Sequence, residues 1–341
     1  MRSGDSRLAP TRRNAVEERV KWSPPEGGVV IARHLVIAAA CGVAAGCVAA
    51  SPSRSAGFGG GLTASANSTE PRGTLLIVGG GSQPDDLVKH FVDLAGGRGK
   101  ARIAILPMAT SEAAEAGAEK KAQLDSLGAD SFVLNFTRAH ADDDSLVRKV
   151  QTATGIWFPG GDQSLLTGAI GGSAVLRAIH ERYNAGAVVG GTSAGAAVMS
   201  DSMITGNQFY PGTVAALDSS NFTRVGRHVI EIAPGLGFVH NAIVDQHFLR
   251  RQRENRLISV VLERPSLLGV GIDEGTALEV TPDGKWVVLG RSAVMILDAR
   301  RARTTSVTAP VLGATDVKLS LLPAGSTYDP RTGEASLPGT R

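Results

Sequence analysis

The sequence has 341 residues, of which 43% are hydrophobic and 20% are charged, and its formal net charge is +3. These proportions are those of an ordinary globular protein. Residues 1–50 hold seven basic and four acidic residues, which leaves 28 of each for the rest of the chain out of totals of 35 and 32. A neutral body lacks the basic surface that nucleic-acid binding requires, so nucleic acid is excluded as a partner.

The first 50 residues have the features of an export signal. After Arg33 comes an apolar run of about a dozen residues, whereas a bilayer span needs about 20. Residues 44–47 (Ala-Ala-Gly-Cys) approximate a bacterial lipobox that would lipidate Cys47, and residues 48–50 would equally suit ordinary signal peptidase. We expect a secreted protein, extracellular or periplasmic, and leave open whether Cys47 carries a lipid anchor.

The only two cysteines, Cys41 and Cys47, both lie in this leader. Disulfides, cysteine-ligated zinc and a cysteine nucleophile are therefore excluded from the folded body. Residues 51–72 are rich in Ser, Gly and Ala, which indicates a flexible linker. We expect a single α/β hydrolytic domain over residues 73–330 and a tail at 331–341.

From residue 73 onward, short apolar strands alternate with helical segments. Strands are predicted at 75–79, 102–106, 131–136, 155–158 and 187–189, and helices at 85–94, 112–127, 144–153 and 163–183. This alternation predicts a doubly wound, mostly parallel sheet with ligands at the carboxyl ends of its strands. Later segments, 286–289 and 293–297, predict antiparallel strands that close one edge.

A G-x-S-x-G motif at residues 191–195 lies between a predicted strand and a predicted helix. This is the setting of a nucleophile elbow, in which the flanking glycines permit a strained backbone at Ser193. The helix that follows would direct N–H groups and its positive dipole end toward an oxyanion. The alternative is a serine that only caps the helix, and the strand-to-helix setting favours the nucleophile.

A serine nucleophile needs a base, and His247 is the candidate among the seven histidines. It directly follows a predicted strand at 242–246 and opens a predicted helix at 248–262. The helix N-terminus would keep the imidazole neutral, as a general base must be. The alternative is a histidine that only caps this helix.

Two carboxylates, Asp273 and Glu274, follow a predicted strand at 268–272. Because strand alternation sends neighbouring side chains to opposite faces, only one of them can orient the imidazole. Periodicity alone does not choose between them. The chain order of serine, histidine and acid also differs from that of ordinary α/β hydrolases, in which the acid precedes the histidine.

Four motifs, in this order, resemble those of the cyanophycinases, members of a peptidase family that also contains aspartyl dipeptidases. They are Ile-Trp-Phe-Pro-Gly-Gly-Asp-Gln at 156–163, Gly-Gly-Thr-Ser-Ala-Gly-Ala at 190–196, Val-Asp-Gln-His-Phe at 244–248 and Gly-Ile-Asp-Glu-Gly-Thr-Ala at 271–277. The resemblance covers residues 73–280 and implies a flavodoxin-like fold similar to class I glutamine amidotransferases, with serine in place of cysteine at the elbow. It also implies a triad of Ser193, His247 and Glu274.

The resemblance further implies residues that contact the substrate. Arginines near the base would supply positive charge for aspartyl carboxylates, and the family pattern favours two of the four that follow His247. The implied contacts are Gln163, Asp245, Gln246, Arg251 and Arg253. For the oxyanion hole, our hypothesis is the N–H groups of Gly161 and Ala194.

Cyanophycinases cut cyanophycin, a polyaspartate with arginine on each β-carboxyl, to β-Asp-Arg dipeptides. The resemblance thus implies a serine-type exopeptidase that works through an acyl-enzyme and needs no metal or cofactor, and the leader predicts that it is secreted. The nearer alternative is an exported aspartyl dipeptidase, and the more distant one is a non-catalytic binding protein on the same scaffold. The sequence departs from the family pattern at residues 79–83 and around Asn207, and either departure could redirect specificity toward small aspartyl peptides.

The sequence does not reveal whether the protein forms a homodimer.

Overall fold

The computed structural model describes residues 71–209, 217–218, 222 and 224–339. The leader and almost all of the predicted linker lie outside these residues, so the signal peptide and the lipidation of Cys47 stay predictions. The helices are α1 (Asp85–Leu94), α2 (Ala113–Ser126), α3 (Asp144–Gln151), α4 (Gln163–Ile170), α5 (Ala174–Asn184), α6 (Ala194–Ala197) and α7 (Glu254–Glu263). Over the described ranges, none of the helices has the length and apolar character to cross a membrane.

The described residues form 18 strands. They are β1 (Leu75–Val78), β2 (Arg102–Ile105), β3 (Asp130–Val133), β4 (Gly155–Phe158), β5 (Val188–Thr192), β6 (Ser202–Gln208), β7 (Leu217–Asp218), β8 (Ile230–Pro234), β9 (Ala242–Gln246), β10 (Leu268–Ile272), β11 (Thr276–Val280), β12 (Trp286–Gly290), β13 (Ala293–Asp298), β14 (Arg303–Thr304), β15 (Ala314–Thr315), β16 (Lys318–Pro323), β17 (Thr327–Asp329) and β18 (Glu334–Ser336).

Nine strands form the main sheet, in the order β18-β17-β12-β11-β1-β5-β4-β2-β3. From β1 to β3 all neighbours are parallel, whereas β11, β12, β17 and β18 pair antiparallel with their neighbours. The predicted fold class, a mostly parallel sheet with antiparallel C-terminal edge strands, is confirmed. Because β18 lies beyond the predicted domain end at residue 330, the sheet extends into what we expected to be a tail.

Helices cover both faces of the main sheet, as a doubly wound fold requires. Leu76 and Val78 of β1 belong to the apolar cluster that includes α1 and α2. Leu75 and Ile77, which alternate with them, belong to the larger cluster that includes residues of α3, α4, α5 and α6. The continuous apolar run of β1 therefore reflects burial on both sides.

A second sheet, in the order β16-β13-β10-β9, packs into the larger cluster. Val244 of β9 and Val270 of β10 share this cluster with Ile77 of the main sheet, while α7 covers the outer face of the second sheet. The prediction that segment 293–297 closes the edge of the main sheet was wrong, since it forms β13 in the second sheet. An apolar strand pattern does not specify its pairing partner.

Two predicted helices have different bounds in the structure. The segment at 163–183 is divided by Gly172, whose φ of +68° ends α4, and Ser173 caps α5 by accepting a hydrogen bond from the N–H of Leu176. The helix expected at 248–262 begins only at Glu254. Between β9 and α7, His247 and Gln252 have φ values of +50° and +51°, which an α-helix cannot contain.

Candidate active site

Ser193 occupies a sharp turn between β5 and α6. Its φ of +55° and ψ of −112° lie outside the regions that serine ordinarily adopts, and its N–H donates to the Val78 carbonyl at 3.1 Å. A Cβ on Gly191 would lie 2.4 Å from the Gly195 carbonyl oxygen, so the turn closes only with glycine there. The α6 helix is a single turn of four residues. These features are those of a nucleophile elbow.

His247 bridges the serine and the acid. Its Nε2 lies 2.9 Å from the Ser193 Oγ, and its Nδ1 lies 2.5 Å from the Glu274 Oε1. An imidazole protonated on Nδ1 donates to Glu274 and leaves Nε2 free to accept the hydroxyl proton. The structure thus brings the three predicted triad residues into one hydrogen-bonded sequence.

The three residues come from both sheets. Ser193 follows β5 of the main sheet, whereas His247 follows β9 of the second sheet. Glu274 lies in the three-residue connection between β10 of the second sheet and β11 of the main sheet. The site therefore forms where the two sheets meet, and not along the edge of a single sheet as expected.

The neighbouring carboxylate, Asp273, faces away from the imidazole. Its Oδ1 accepts from the Arg250 N–H at 2.9 Å, and its Oδ2 accepts from the Ser292 hydroxyl at 2.7 Å. These bonds tie the loop after His247 to the start of β13. The geometry thus gives the two adjacent acids separate partners.

Burial lowers the pKa of His247 below its ordinary value of 6.5. The hydrogen bond that the imidazole donates to Glu274 opposes this effect, and the positive charges of Arg251 and Arg253 add to it. The resulting neutral imidazole suits a general base at neutral pH. Because α7 begins seven residues after His247, the helix dipole that we expected to lower this pKa is not its cause.

Glycines bring the backbone against the imidazole at one position and against a neighbouring loop at another. A Cβ on Gly80 would lie 2.4 Å from the His247 ring, and the His247 N–H donates to the Gly79 carbonyl at 2.6 Å. Gly161 has a φ of +137°, and a Cβ there would lie 2.2 Å from the Ala109 carbonyl oxygen. The turn at Gly79 and Gly80 is therefore part of the imidazole's packing.

A cleft of about 270 Å³ opens beside Ser193, and we call it the arginine cleft. Its walls come from the elbow, the start of α4, strand β6 and the loop after His247. They consist of Gly161, Asp162, Gln163, Ser193, Thr205, Gly206, Asn207, Gln246, Arg251, Arg253 and Arg256. Both arginines that the family pattern favoured therefore line it, and Arg251 is exposed.

Asp245 does not face this cleft, which corrects its expected role as a substrate contact. Its side chain has no exposed surface, and it pairs with Arg256 through the guanidinium Nε at 2.6 Å and through Nη2. Arg253 donates to the carbonyl of Gln246 at 2.7 Å and to its side-chain oxygen at 2.8 Å. The buried carboxylate therefore positions Arg256, which lines the cleft. Arg256 was not among the site residues predicted from the sequence.

Gln163 lines the cleft but uses its amide nitrogen elsewhere. That nitrogen donates to the carbonyl oxygens of Ile204 at 2.7 Å and Thr205 at 2.5 Å. The side chain is 5% exposed, so it holds strand β6 against the cleft and presents little surface to a ligand. It therefore has a positioning role, and because it also lines the cleft its substrate contact stays a prediction. In the same strand, Asn207 donates to Glu231 at 2.7 Å.

Among the residues with described positions, no group of three or more His, Cys, Asp or Glu side chains could hold a metal ion.

The sequence of this chain is similar to those of known peptidases. Peptidase family S51 matches residues 75–288. A cyanophycinase from Trichormus variabilis is 34% identical over 248 residues, which cover 71% of this chain and 78% of that protein. A cyanophycinase from Geminocystis herdmanii is 32% identical over 271 residues, covering 76% and 95%.

A crystal structure of a peptidase from an acI-B1 actinobacterium is similar in fold. Its TM-score is 0.56 at 23% identity, and the match covers 76% of this chain and 98% of that chain. At this identity the likeness concerns the architecture of the chain.

Proposed function

This chain belongs to peptidase family S51 and is a serine-type peptidase of the cyanophycinase kind, and we propose that it hydrolyses cyanophycin to β-Asp-Arg dipeptides. The observation that carries the proposal is the continuous hydrogen-bonded sequence from the Ser193 hydroxyl through His247 to Glu274. Its place beside a cleft lined by arginines supports a substrate that carries carboxylates, as each arginyl unit of cyanophycin does.

The proposed reaction begins with attack of the Ser193 Oγ on an aspartyl carbonyl carbon, while the His247 Nε2 takes the hydroxyl proton. The protonated imidazole then gives its proton to the departing amine, and the acyl group stays on Ser193 as an ester. Water attacks the ester with His247 again as the base, which releases the acid and restores the serine. Glu274 holds the imidazole in the tautomer that this cycle needs.

The oxyanion hole in this proposal consists of the Ala194 and Gly161 N–H groups. Ala194 opens the α6 turn, where an N–H has no acceptor within its own helix. Gly161 lies in the arginine cleft with Ser193. Within the part of the chain that the structure describes, neither N–H donates a backbone hydrogen bond in a turn or loop. Both donors are thus available to a developing negative charge.

Substrate carboxylates are assigned to Arg251 and Arg253 on the wall of the arginine cleft. Arg251 is exposed there, while Arg253 is 8% exposed and held by Gln246. A guanidinium that is already oriented loses little freedom when it binds a carboxylate. Gln246 completes this wall and is retained as a substrate contact.

The test is incubation of the purified protein with insoluble cyanophycin, with mass spectrometry of the soluble products. The wild type is expected to release β-Asp-Arg dipeptides, and Ser193→Ala is expected to reduce the rate by about 10⁴-fold or more. The matched control is Ser292→Ala, which removes a hydroxyl bonded to Asp273 and not to the base. Hydrolysis of small aspartyl peptides without release from the polymer would instead identify an aspartyl dipeptidase.

Export is the second part of the proposal, and it rests on the charged and apolar leader before residue 50. The intact mass of the protein recovered from the producing cell's envelope and medium tests it. A lipidated product beginning at Cys47 and a free product beginning after Ala50 differ in mass and in fraction. Full-length protein that stays inside the cell would contradict the proposal.

A further inference from the structure

A second cavity, of about 520 Å³, lies beside the elbow, and we call it the lysine cavity. Its walls come from the loop after β1, from helix α2 and from the ends of β4 and β5. They consist of Gly81, Ser82, Gln83, Ala116, Glu119, Lys120, Gln123, Pro159, Gly160 and Thr192. Nothing proposed above for catalysis uses it.

The lysine cavity adjoins the triad directly. A Cβ on Gly160 would lie 3.2 Å from the Ser193 Cβ, and a Cβ on Gly81 would lie 2.7 Å from a carboxylate oxygen of Glu274. A ligand in this cavity would therefore lie within a few ångströms of the reacting groups.

Lys120 is a buried cation in the cavity wall, with 9% of its surface exposed. Its ammonium donates to the side-chain oxygens of Gln83 at 2.8 Å and Gln123 at 2.6 Å, and it lies 4.9 Å from the centre of the Trp157 ring. An ammonium has three protons to donate, and these two acceptors are neutral. No carboxylate in the described part of the chain forms an ion pair with it.

Two further groups fit a zwitterionic ligand. The Thr192 hydroxyl in the cavity wall is buried and, over the described residues, has no hydrogen-bond partner. Glu119 is exposed on the same wall, one residue before Lys120. A peptide unit that carries both a carboxylate and a guanidinium would match Lys120 and Glu119 respectively.

The chemistry of acyl transfer indicates which part of the substrate this cavity would bind. The departing amine must receive its proton from His247, so the leaving group lies on the imidazole's side of Ser193. Gly80 packs on the imidazole, and Gly81, the next residue, lines the lysine cavity. The arginine cleft contains Ser193 itself and Gly161, where the acyl group and its oxyanion would lie.

We propose that the lysine cavity is the leaving-group subsite, in which Lys120 binds a carboxylate of the departing peptide and Glu119 binds its guanidinium. This inference rests on the proposed hydrolysis of arginyl-aspartyl chains. It makes Lys120 a specificity residue, and it predicts that a leaving group without a free carboxylate is cleaved more slowly.

The experiment uses two short synthetic peptides of three β-Asp-Arg units, whose last unit has its carboxylates either free or amidated. The wild type is expected to cleave the free form with a kcat/KM about tenfold or more above that of the amidated form, mainly through KM. Lys120→Met, which keeps an apolar stem against Trp157, is expected to reduce this ratio to within about twofold.

The matched control is Lys121→Met, since Lys121 neighbours Lys120 but pairs with Asp125 and does not line the cavity. It is expected to keep the wild-type ratio. Each ratio compares two substrates of the same variant, so a fraction of misfolded protein lowers both kcat/KM values equally and does not change their ratio. Equal cleavage of both peptides by the wild type, or a ratio that survives in Lys120→Met, would overturn the inference while the proposed function stands.

If the wild type cleaves neither peptide, the proposed function fails, and calorimetric titration tests the cavity separately. The probes are the β-Asp-Arg dipeptide and its diamide. Tighter binding of the dipeptide by the wild type, lost in Lys120→Met and kept in Lys121→Met, supports the subsite. Equal affinity of the wild type for the two probes, or equal loss in both variants, overturns it.

Discussion

The two cavities beside Ser193 hold their positive charges in opposite ways. In the arginine cleft, Asp245 pairs with Arg256 and lies 3.9 Å from a guanidinium nitrogen of Arg253. In the lysine cavity, Lys120 is bonded to two neutral amides. An internal carboxylate therefore neutralises part of the positive charge of the arginine cleft. In the lysine cavity, a carboxylate of a bound ligand would neutralise the charge of Lys120.

This difference separates stability from specificity. A buried pair that loses one partner leaves an uncompensated charge, so changes beneath the arginine cleft should destabilise the protein. A buried lysine without a counter-ion contributes little to stability, so its replacement should alter substrate choice and leave the fold intact. The catalytic imidazole bonds Ser193, which lines the arginine cleft, and Glu274, which packs against Gly81 of the lysine cavity.

The largest expected effect comes from this shared imidazole. Glu274→Gln should lower kcat about 10³- to 10⁴-fold, because an amide does not hold the Nδ1-protonated tautomer that the base needs. Steady-state kinetics on a soluble aspartyl peptide would measure it. The matched control is Asp273→Asn, because the Asp273 carboxylate bonds Arg250 and Ser292 and not the imidazole. A comparable kcat loss in both variants would mean that the two acids do not have separate roles.

The next effect contrasts the two cavities in stability. Asp245→Asn should lower the free energy of unfolding by about 3–5 kcal/mol, since Arg256 is left buried without its charge partner. Lys120→Met should change it by no more than about 1 kcal/mol, because it removes a cation that has no counter-ion. Urea denaturation of both variants compares them. Similar losses in the two would remove the distinction between the cavities.

A smaller effect concerns the pH profile. Arg251 lowers the pKa of His247, so Arg251→Gln should raise that pKa. The base then becomes protonated at a higher pH, and the acidic limb of the kcat/KM profile should move to higher pH by less than about one unit. Arg250→Gln is the control, since Arg250 does not line the cleft. An acidic limb that does not move would argue against charge coupling between the cleft and the base.

The smallest effect appears in alkaline solution. Burial lowers the pKa of Lys120 to about 8, and the negative charge of Glu119 opposes the shift. The ammonium is charged below that pH and neutral above it. The preference for a free leaving-group carboxylate should therefore fall as pH rises through about 8, as the ratio of kcat/KM for the free and amidated peptides would record. A ratio constant from pH 7 to 9 would contradict this prediction.

Much of the main sheet could be predicted from the sequence, because each parallel strand is an apolar run followed by a helix. Helix α1 has the predicted bounds, since its buried Leu87, Val88 and Phe91 repeat at helical spacing. The second sheet could not be predicted in this way. Strands β9 and β10 look like further members of a single sheet, because their apolar pattern records burial but not the strand they pair with.

The site was predictable where residue type and context agreed, and not where the backbone departs from regular structure. Ser193 was found through its glycines and its strand-to-helix setting. The loop after His247 was predicted as helix because positive φ at His247 and Gln252 leaves no signal in residues that are not glycine. Lys120 was missed for another reason: in an Ala-, Glu- and Lys-rich helix, a lysine ordinarily indicates a solvated face.

Glu274 lies in the three-residue connection that joins the two sheets. A small shift of the second sheet relative to the main sheet would separate Ser193 from His247. The hydrogen bonds between strands within each sheet would stay intact. Catalytic activity should therefore report a shift between the two sheets that circular dichroism does not detect. On gradual heating, activity should be lost at a lower temperature than the secondary structure.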